Sequence, residues 1–232
     1  MGYWTWYAAT IFLAYATQHP AVALVAVVIY FARPWLPDPV VWIRTMGRMS
    51  KLKGDIALNP ANMVATRDLA RLYLERLRPR KAIELIEHTR QRMAQSTRHP
   101  QGSRDDAELL YYLGLARYKA GKPAEALEPL VAAVAIAPDV GRGDPYMIAA
   151  NALSDLGRWE EAEDSLDRFL DQNQSSIEVY VKLARVRSRQ KNAEGAREAI
   201  AQAKQTWSVL PSFVRRHQWR WWLAAMVSFA WL

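Results

Sequence analysis

The residues equipped for covalent or metal chemistry are few in this 232-residue chain, and they stand apart from one another. There is no cysteine, so a disulfide frame, a thiolate metal site and a cysteine nucleophile are all excluded. The four histidines, His19, His88, His99 and His217, are scattered and form no constellation. No glycine-rich phosphate loop, GxSxG elbow or HExxH helix occurs. The tripeptide RGD lies within "GRGDP", 141–145, which reads as a turn running into a helix that starts at Asp144-Pro145. The acids of "EEAED", 160–164, read as solvated charge on an outward-facing helix. The sequence therefore predicts a protein with no enzymatic activity, no metal, no cofactor and no small-molecule substrate.

The abundant chemistry is that of a lipid interface. Residues 1–60 carry five Lys/Arg against two acids, 211–232 three against none, and 61–210 carries 23 against 21. The ends thus supply six of the eight net positive charges. Tryptophan divides the same way. Trp4, Trp6, Trp35, Trp42, Trp219, Trp221, Trp222 and Trp231 lie in the ends, and only Trp159 and Trp207 lie between them. Indole rings favour the headgroup level of a bilayer, and cations favour anionic lipid. Trp4, Trp6, Trp35, Trp42, Arg44, Arg48, Arg215, Arg216, Trp219, Arg220, Trp221 and Trp222 are accordingly the expected membrane-interface residues, with the bilayer as one partner. Nucleic acid is disfavoured, because these cations are interleaved with long apolar runs.

The elements that must position these groups begin with residues 3–32, which contain no Lys, Arg, Asp or Glu. No cation precedes this run as a secretory leader requires, so it reads as a retained membrane anchor, 1–39. "QHP" at 18–20 leaves its form open. Thirty helical residues would span roughly 45 Å against a hydrocarbon core of about 30 Å, which calls for a tilted or kinked span. Two shorter helices would instead make a re-entrant hairpin. The first cations after the run are Arg33, Arg44, Arg48, Lys51 and Lys53, which places the rest of the chain on the cytoplasmic face. A bacterial inner membrane is the expected location. Three prolines in "RPWLPDPV" end the apolar run. Apolar residues at 40, 43, 46, 49, 52 and 56 then mark a basic amphipathic helix, 40–60, either lying on the membrane or capping the domain that follows.

Between the ends the chain repeats itself. Window 107–140 places Leu110, Leu113, Gly114, Gly121, Ala126, Leu130, Ala133 and Pro138 at intervals met again in 143–176, as Tyr146, Ala149, Ala150, Gly157, Ala162, Leu166 and Phe169. Weaker copies occupy 63–96 and 177–210. The turn-facing alanines are Ala82, Ala126, Ala162 and Ala196, separated by 44, 36 and 34 residues. This pattern resembles the tetratricopeptide repeat, in which a helix pair needs small residues where its backbones approach closely. Arg117 stands where that family has Tyr. The polar insertion 97–106 reads as a loop, and Pro129 inside a second helix predicts a kink or an early end there.

The resemblance implies an all-α fold: a right-handed α-solenoid of about four helix-turn-helix repeats over 61–210, preceded by a membrane helix or helical hairpin. It implies a concave groove lined by first helices that holds a peptide or partner helix. The slots facing that groove would be Arg67, Arg71, Tyr111, Leu115, Tyr118, Met147, Asn151, Ser154, Val181, Arg185 and Ser188. Such a groove is aromatic at its centre and cationic at its ends, which suits an acidic partner segment. The family's carboxylate clamp is absent, since its positions read Arg67, Arg71, Tyr112, Asp144 and Ile148. After Arg220 twelve uncharged residues are too few to span, so 211–232 reads as a Trp-rich helix that is either interfacial or a cap on the last repeat. The expected protein is a membrane-anchored protein-binding adaptor. The alternative is a structural subunit or assembly factor of a larger membrane complex.

Overall fold

The computed structural model describes residues 39–94 and 100–229, with isolated positions 10, 14, 18, 19, 21 and 24. The expected anchor, 1–39, and its Trp4, Trp6 and Trp35 therefore lie outside the described residues apart from those positions and Pro39. Among the described residues no helix is long and apolar enough to cross a membrane. The chain divides into two units, 1–48 and 49–232.

The described elements are helices: α1 (Pro39–Leu58), α2 (Met63–Glu75), α3 (Pro79–Met93), α4 (Arg104–Lys119), α5 (Pro123–Ile136), α6 (Asp144–Asp155), α7 (Trp159–Gln172), α8 (Ile177–Arg189), α9 (Ala193–Val209) and α10 (Ser212–Phe229). From α2 to α9 they form four antiparallel pairs. Each pair turns on one residue with positive φ: Leu77, Gly121, Gly157 and Lys191. Each such residue lies five positions before a fully buried alanine, Ala82, Ala126, Ala162 or Ala196. The next amide reaches back five residues in all four turns: Arg78 to the Tyr73 carbonyl (2.8 Å), Lys122 to Arg117 (3.0 Å), Arg158 to Leu153 (2.9 Å) and Asn192 to Arg187 (2.9 Å). This left-handed cap satisfies carbonyls that the ending helix leaves open. The alanines let the returning helix close on its mate. At Gly114 the approach is tightest, since a Cβ there would stand 2.5 Å from Leu130 Cγ.

One sequence expectation is corrected here, and of the two outcomes expected at Pro129, a kink or an early end, the second is excluded. The loop at 97–106 ends sooner, because Ser103 caps α4 and Arg104, Asp105 and Asp106 form its first turn. Asp106 is buried and accepts from Arg90 Nε (2.6 Å) and from the Gly102 amide (2.9 Å), which ties α3 to α4 across the insertion. Nor does Pro129 end its helix early, since α5 runs on to Ile136. Pro129 deprives the Glu125 carbonyl of its helical donor, and Arg117 Nη1 donates to that carbonyl instead, at 3.1 Å. The arginine in the tyrosine slot thus serves a carbonyl that Pro129, twelve residues later, leaves without its helical donor. Its guanidinium also pairs with Glu87 at 2.9 Å. Arg187, the corresponding residue of the fourth pair, does likewise with Glu163 (2.7 Å) and the Gly195 carbonyl (3.2 Å).

The array is closed at both ends. Met49, Leu52 and Ile56 of α1 join the core of the first pair, and Arg76 Nη1 lies 3.4 Å from Met49 Sδ. At the far end α10 lays Val214, Trp221, Ala224, Ala225 and Met226 on the core of the last two pairs. Gln218 completes that contact, accepting from the Ile177 amide (2.7 Å) and donating to the Ser175 carbonyl (3.1 Å). An interior helix of such an array is covered by its neighbours, and a terminal one needs a cap of this kind.

Candidate functional site: a groove lined by first helices

The first helices α2, α4 and α6 line a cavity of about 1030 Å³, which includes Arg71, Glu75, Arg104, Glu108, Tyr111, Tyr112, Leu115, Lys119 and Asp144. The turn before α6 forms one wall. Gly141, Arg142 and Gly143 all adopt positive φ (62°, 53° and 93°), so the chain reverses tightly and starts α6 at Asp144. Glycine is required at both flanks. A Cβ on Gly141 would meet Pro145 Cδ at 3.1 Å, and one on Gly143 would meet Phe169 at 3.3 Å. The RGD tripeptide is therefore a turn, yet it brings Arg142 and Asp144 to the groove.

Tyr111 is the central fixture. Its hydroxyl donates to Asp144 Oδ2 at 3.2 Å, and its ring is tilted against Tyr112 with centroids 4.9 Å apart. Burial, reinforced by the Asp144 charge, raises the Tyr111 phenol well above its ordinary pKa. Burial also raises the Asp144 carboxyl, an effect opposed by the hydrogen bond from Tyr111.

A second concavity of about 310 Å³ lies further along. Tyr118 of α4, Asn151, Ser154 and Asp155 of α6, Trp159 of α7, and Lys182, Arg185 and Arg189 of α8 line it. Burial first, and then a hydrogen bond to Asp155, push Tyr118 up to about 12. Lys182 Nζ is held by Asn151 Oδ1 (2.7 Å) and Glu178 (2.8 Å), and Arg189 lies over the Trp159 ring at 6.0 Å.

The charge of the groove is uneven once its pairs are formed. Arg67 takes Glu108, Arg71 takes Glu75 at 2.9 Å, and Arg104 takes Asp139 at 2.6 Å. Of the charged residues lining the two cavities, Lys119, Arg142, Arg185 and Arg189 have no ion-pair partner among the described residues, and neither do the acids Asp144 and Asp155, which are met by tyrosine hydroxyls. Four cations against two acids leave a modest positive excess.

The structure brings Arg71, Tyr111 and Leu115 into the first cavity and Tyr118, Asn151, Ser154 and Arg185 into the second. Other slots read from the sequence fall elsewhere. Val181 is 2 % exposed and belongs to the core that the last two pairs share with α10. Met147 packs partly against the same core, its Sδ 3.4 Å from Lys182 Nζ, and Ser188 is exposed outside both cavities. Arg67 is half-buried and engaged with Glu108 rather than presented to the cavity.

The membrane-interface set is divided too. Arg44, Arg48, Arg216, Trp219 and Arg220 are exposed, whereas the side chain of Trp42 lies outside the described residues. Trp221 and Trp222 turn inward, Trp222 stacking on Trp207 with centroids 4.9 Å apart and planes at 4°. Arg215 lies over Trp207 and donates to the Ser208 carbonyl at 2.8 Å, so these three serve the cap.

Sequence reasoning missed Asp139 and Arg142, because the repeat pattern says nothing about inter-repeat turns, and Arg104 and Lys119, which stand at the two ends of α4 outside the slots the pattern assigns to the groove. It also missed a cavity of about 1040 Å³ on the second-helix side, between α5 and α7, lined by Leu127, Val131, Ala135, Tyr146, Ala149 and Leu153 among others. The available signal was the composition of α5, whose fourteen residues carry only Glu125 and Glu128 as charges.

With this geometry in place, comparison with known proteins defines the class. The tetratricopeptide repeat profile matches residues 67–140 and 149–210. The chain belongs to the tetratricopeptide repeat family.

Among solved structures it resembles MamA, at 18 % identity and a TM-score of 0.60, covering 71 % of this chain and 92 % of that one. MamA 41-end from Desulfovibrio magneticus RS-1 matches at 15 % identity and a TM-score of 0.60, covering 73 % and 92 %. YrrB, described as a TPR protein with an unusual peptide-binding site, matches at 16 % identity and 0.56, covering 77 % and 85 %. Identities this low establish a shared fold. No curated protein sequence matches the chain.

Proposed function

We propose that this protein is a non-catalytic, membrane-anchored adaptor whose first-helix groove binds an extended or helical segment of an acidic partner protein. The observation that carries the reading is the groove itself: a floor of Tyr111, Tyr112 and Leu115 with the unpaired cations Lys119 and Arg142 and one unpaired acid, Asp144, beside it, and the unpaired Arg185 in the neighbouring concavity. A floor of this kind contributes apolar burial, and the cations select a partner of opposite charge. Peptide binding is named for the similar fold of YrrB, which is consistent with this use of the groove.

The anchor in this reading is the charge-free run 3–32, and the basic residues that follow it favour a cytoplasmic array on a bacterial inner membrane. Confinement near the bilayer raises the effective concentration of any membrane-bound partner. A second reading, a structural subunit of a larger membrane complex, draws on the apolar cavity between α5 and α7, which a neighbouring subunit would fill.

Photo-crosslinking from the full-length protein in native membranes tests the adaptor reading. A photoreactive residue in place of Leu115 is expected to capture a discrete protein partner, and one at exposed Glu194 is not. Capture only from Val131, between α5 and α7, would overturn the groove in favour of the second reading.

A further inference from the structure

The terminal helix α10 has two faces with different uses. Its inward side, Val214, Gln218, Trp221 and Ala225, recurs at steps of four, three and four and caps the array. The opposite line, Phe213, Arg216, Arg220, Leu223 and Val227, recurs at steps of three, four, three and four and faces solvent. Phe213, Leu223 and Val227 are 67 %, 50 % and 61 % exposed, and Trp219 beside them is 53 % exposed. Large apolar side chains aligned on one helix face mark a docking surface rather than scattered exposure.

Its charge defines what docks. Residues 211–232 hold Arg215, Arg216 and Arg220 and no acid, so the stripe is cationic as well as apolar. The two properties are graded along the helix: Arg216 and Arg220 occupy its first half, Trp219 stands at the junction, and Leu223 and Val227 follow. Beyond Arg220 the sequence carries no further charge. We infer that this outer face docks on a bilayer surface rich in anionic phospholipid, with the guanidinium groups at the phosphates, Trp219 at the headgroup boundary, and the C-terminal end inserted deeper. A single partner then satisfies both halves of the gradient, because a lipid interface offers negative charge above and hydrocarbon below. The cap keeps its inward face throughout, so docking needs no unfolding of the array. The inference deepens the membrane-bound reading above. It would hold the groove beside the bilayer at the end of the array distant from the anchor in sequence.

The absence of native cysteine makes the test direct. Full-length protein carrying Leu223→Cys is labelled with a nitrobenzoxadiazole fluorophore and reconstituted with phosphatidylcholine vesicles, with or without phosphatidylglycerol. A Glu194→Cys protein on α9 serves as the control. The label at 223 is expected to shift to the blue and to be quenched by doxyl-lipids in the anionic vesicles, while the label at 194 stays aqueous. Arg216→Gln with Arg220→Gln should reduce docking roughly thirtyfold, each surface cation contributing on the order of fivefold. A label at 223 that remains aqueous on anionic vesicles overturns the inference. So does a blue shift without lipid quenching, which means a protein surface, or a response indifferent to lipid charge. Failure of the N-terminal anchor is distinguishable, since the protein would then not float with neutral vesicles and yet the 223 label would still respond to anionic ones.

Discussion

Gly114 and the turn glycines are constrained for different physical reasons, and substitution separates them. Gly114→Ala drives a Cβ into Leu130 and should cost about 1–3 kcal/mol by overpacking, read as a lower denaturation midpoint with an unchanged slope. Gly121→Ala meets no atom within 4 Å and should cost about 1–2 kcal/mol through backbone conformation alone. The reverse change, Lys191→Gly at φ 65°, should stabilise the protein by up to about 1 kcal/mol. The Arg117–Pro129 relation is a sharper case. Arg117→Leu should destabilise more with Pro129 present than in a Pro129→Ala background, where the Glu125 carbonyl regains its helical donor. A double-mutant cycle is expected to show coupling of roughly 1 kcal/mol. The signs of this pair stood in the sequence as two anomalies, an arginine in a tyrosine slot and a proline inside a helix. Only the folded contact joins them.

At the scale of elements, α10 holds the last pair in place. Ser176 supplies no side-chain cap to α8, and Gln218 takes that role from another helix. Gln218→Ala should cost about 1 kcal/mol, with faster amide exchange concentrated in the first turn of α8 rather than spread over the array. The helix pairs were legible from Ala82, Ala126, Ala162 and Ala196, because close backbone approach permits little else at those places. Two of the four turns were legible as Gly121 and Gly157. Leu77 and Lys191 were not, since nothing in their residue type announces a left-handed conformation. Val181 was misplaced for a related reason. The family's register assigns it to the groove, whereas it is buried in the core of the last two pairs and α10.

For the whole molecule, sequence reasoning reached the class of fold and named several of the residues that line the cavities between first helices, but not the electrostatics of those cavities. Those depend on which charges are already matched, and the matching of Arg67, Arg71 and Arg104 by Glu108, Glu75 and Asp139 is a product of three-dimensional contact. What remains is a modest positive excess, Lys119, Arg142, Arg185 and Arg189 against Asp144 and Asp155, with the cations contributed by α4, an inter-repeat turn and α8. The most direct measurement of the central claim is quantitative capture of partners from native membranes by the full-length protein and by a Lys119→Glu, Arg142→Glu, Arg185→Glu variant, whose fold is checked by thermal denaturation. The account predicts that a discrete protein partner is captured by the wild type and lost by at least about tenfold in the variant, with the loss growing at low ionic strength. An unchanged partner set on a folded variant would contradict it and move the function away from the groove.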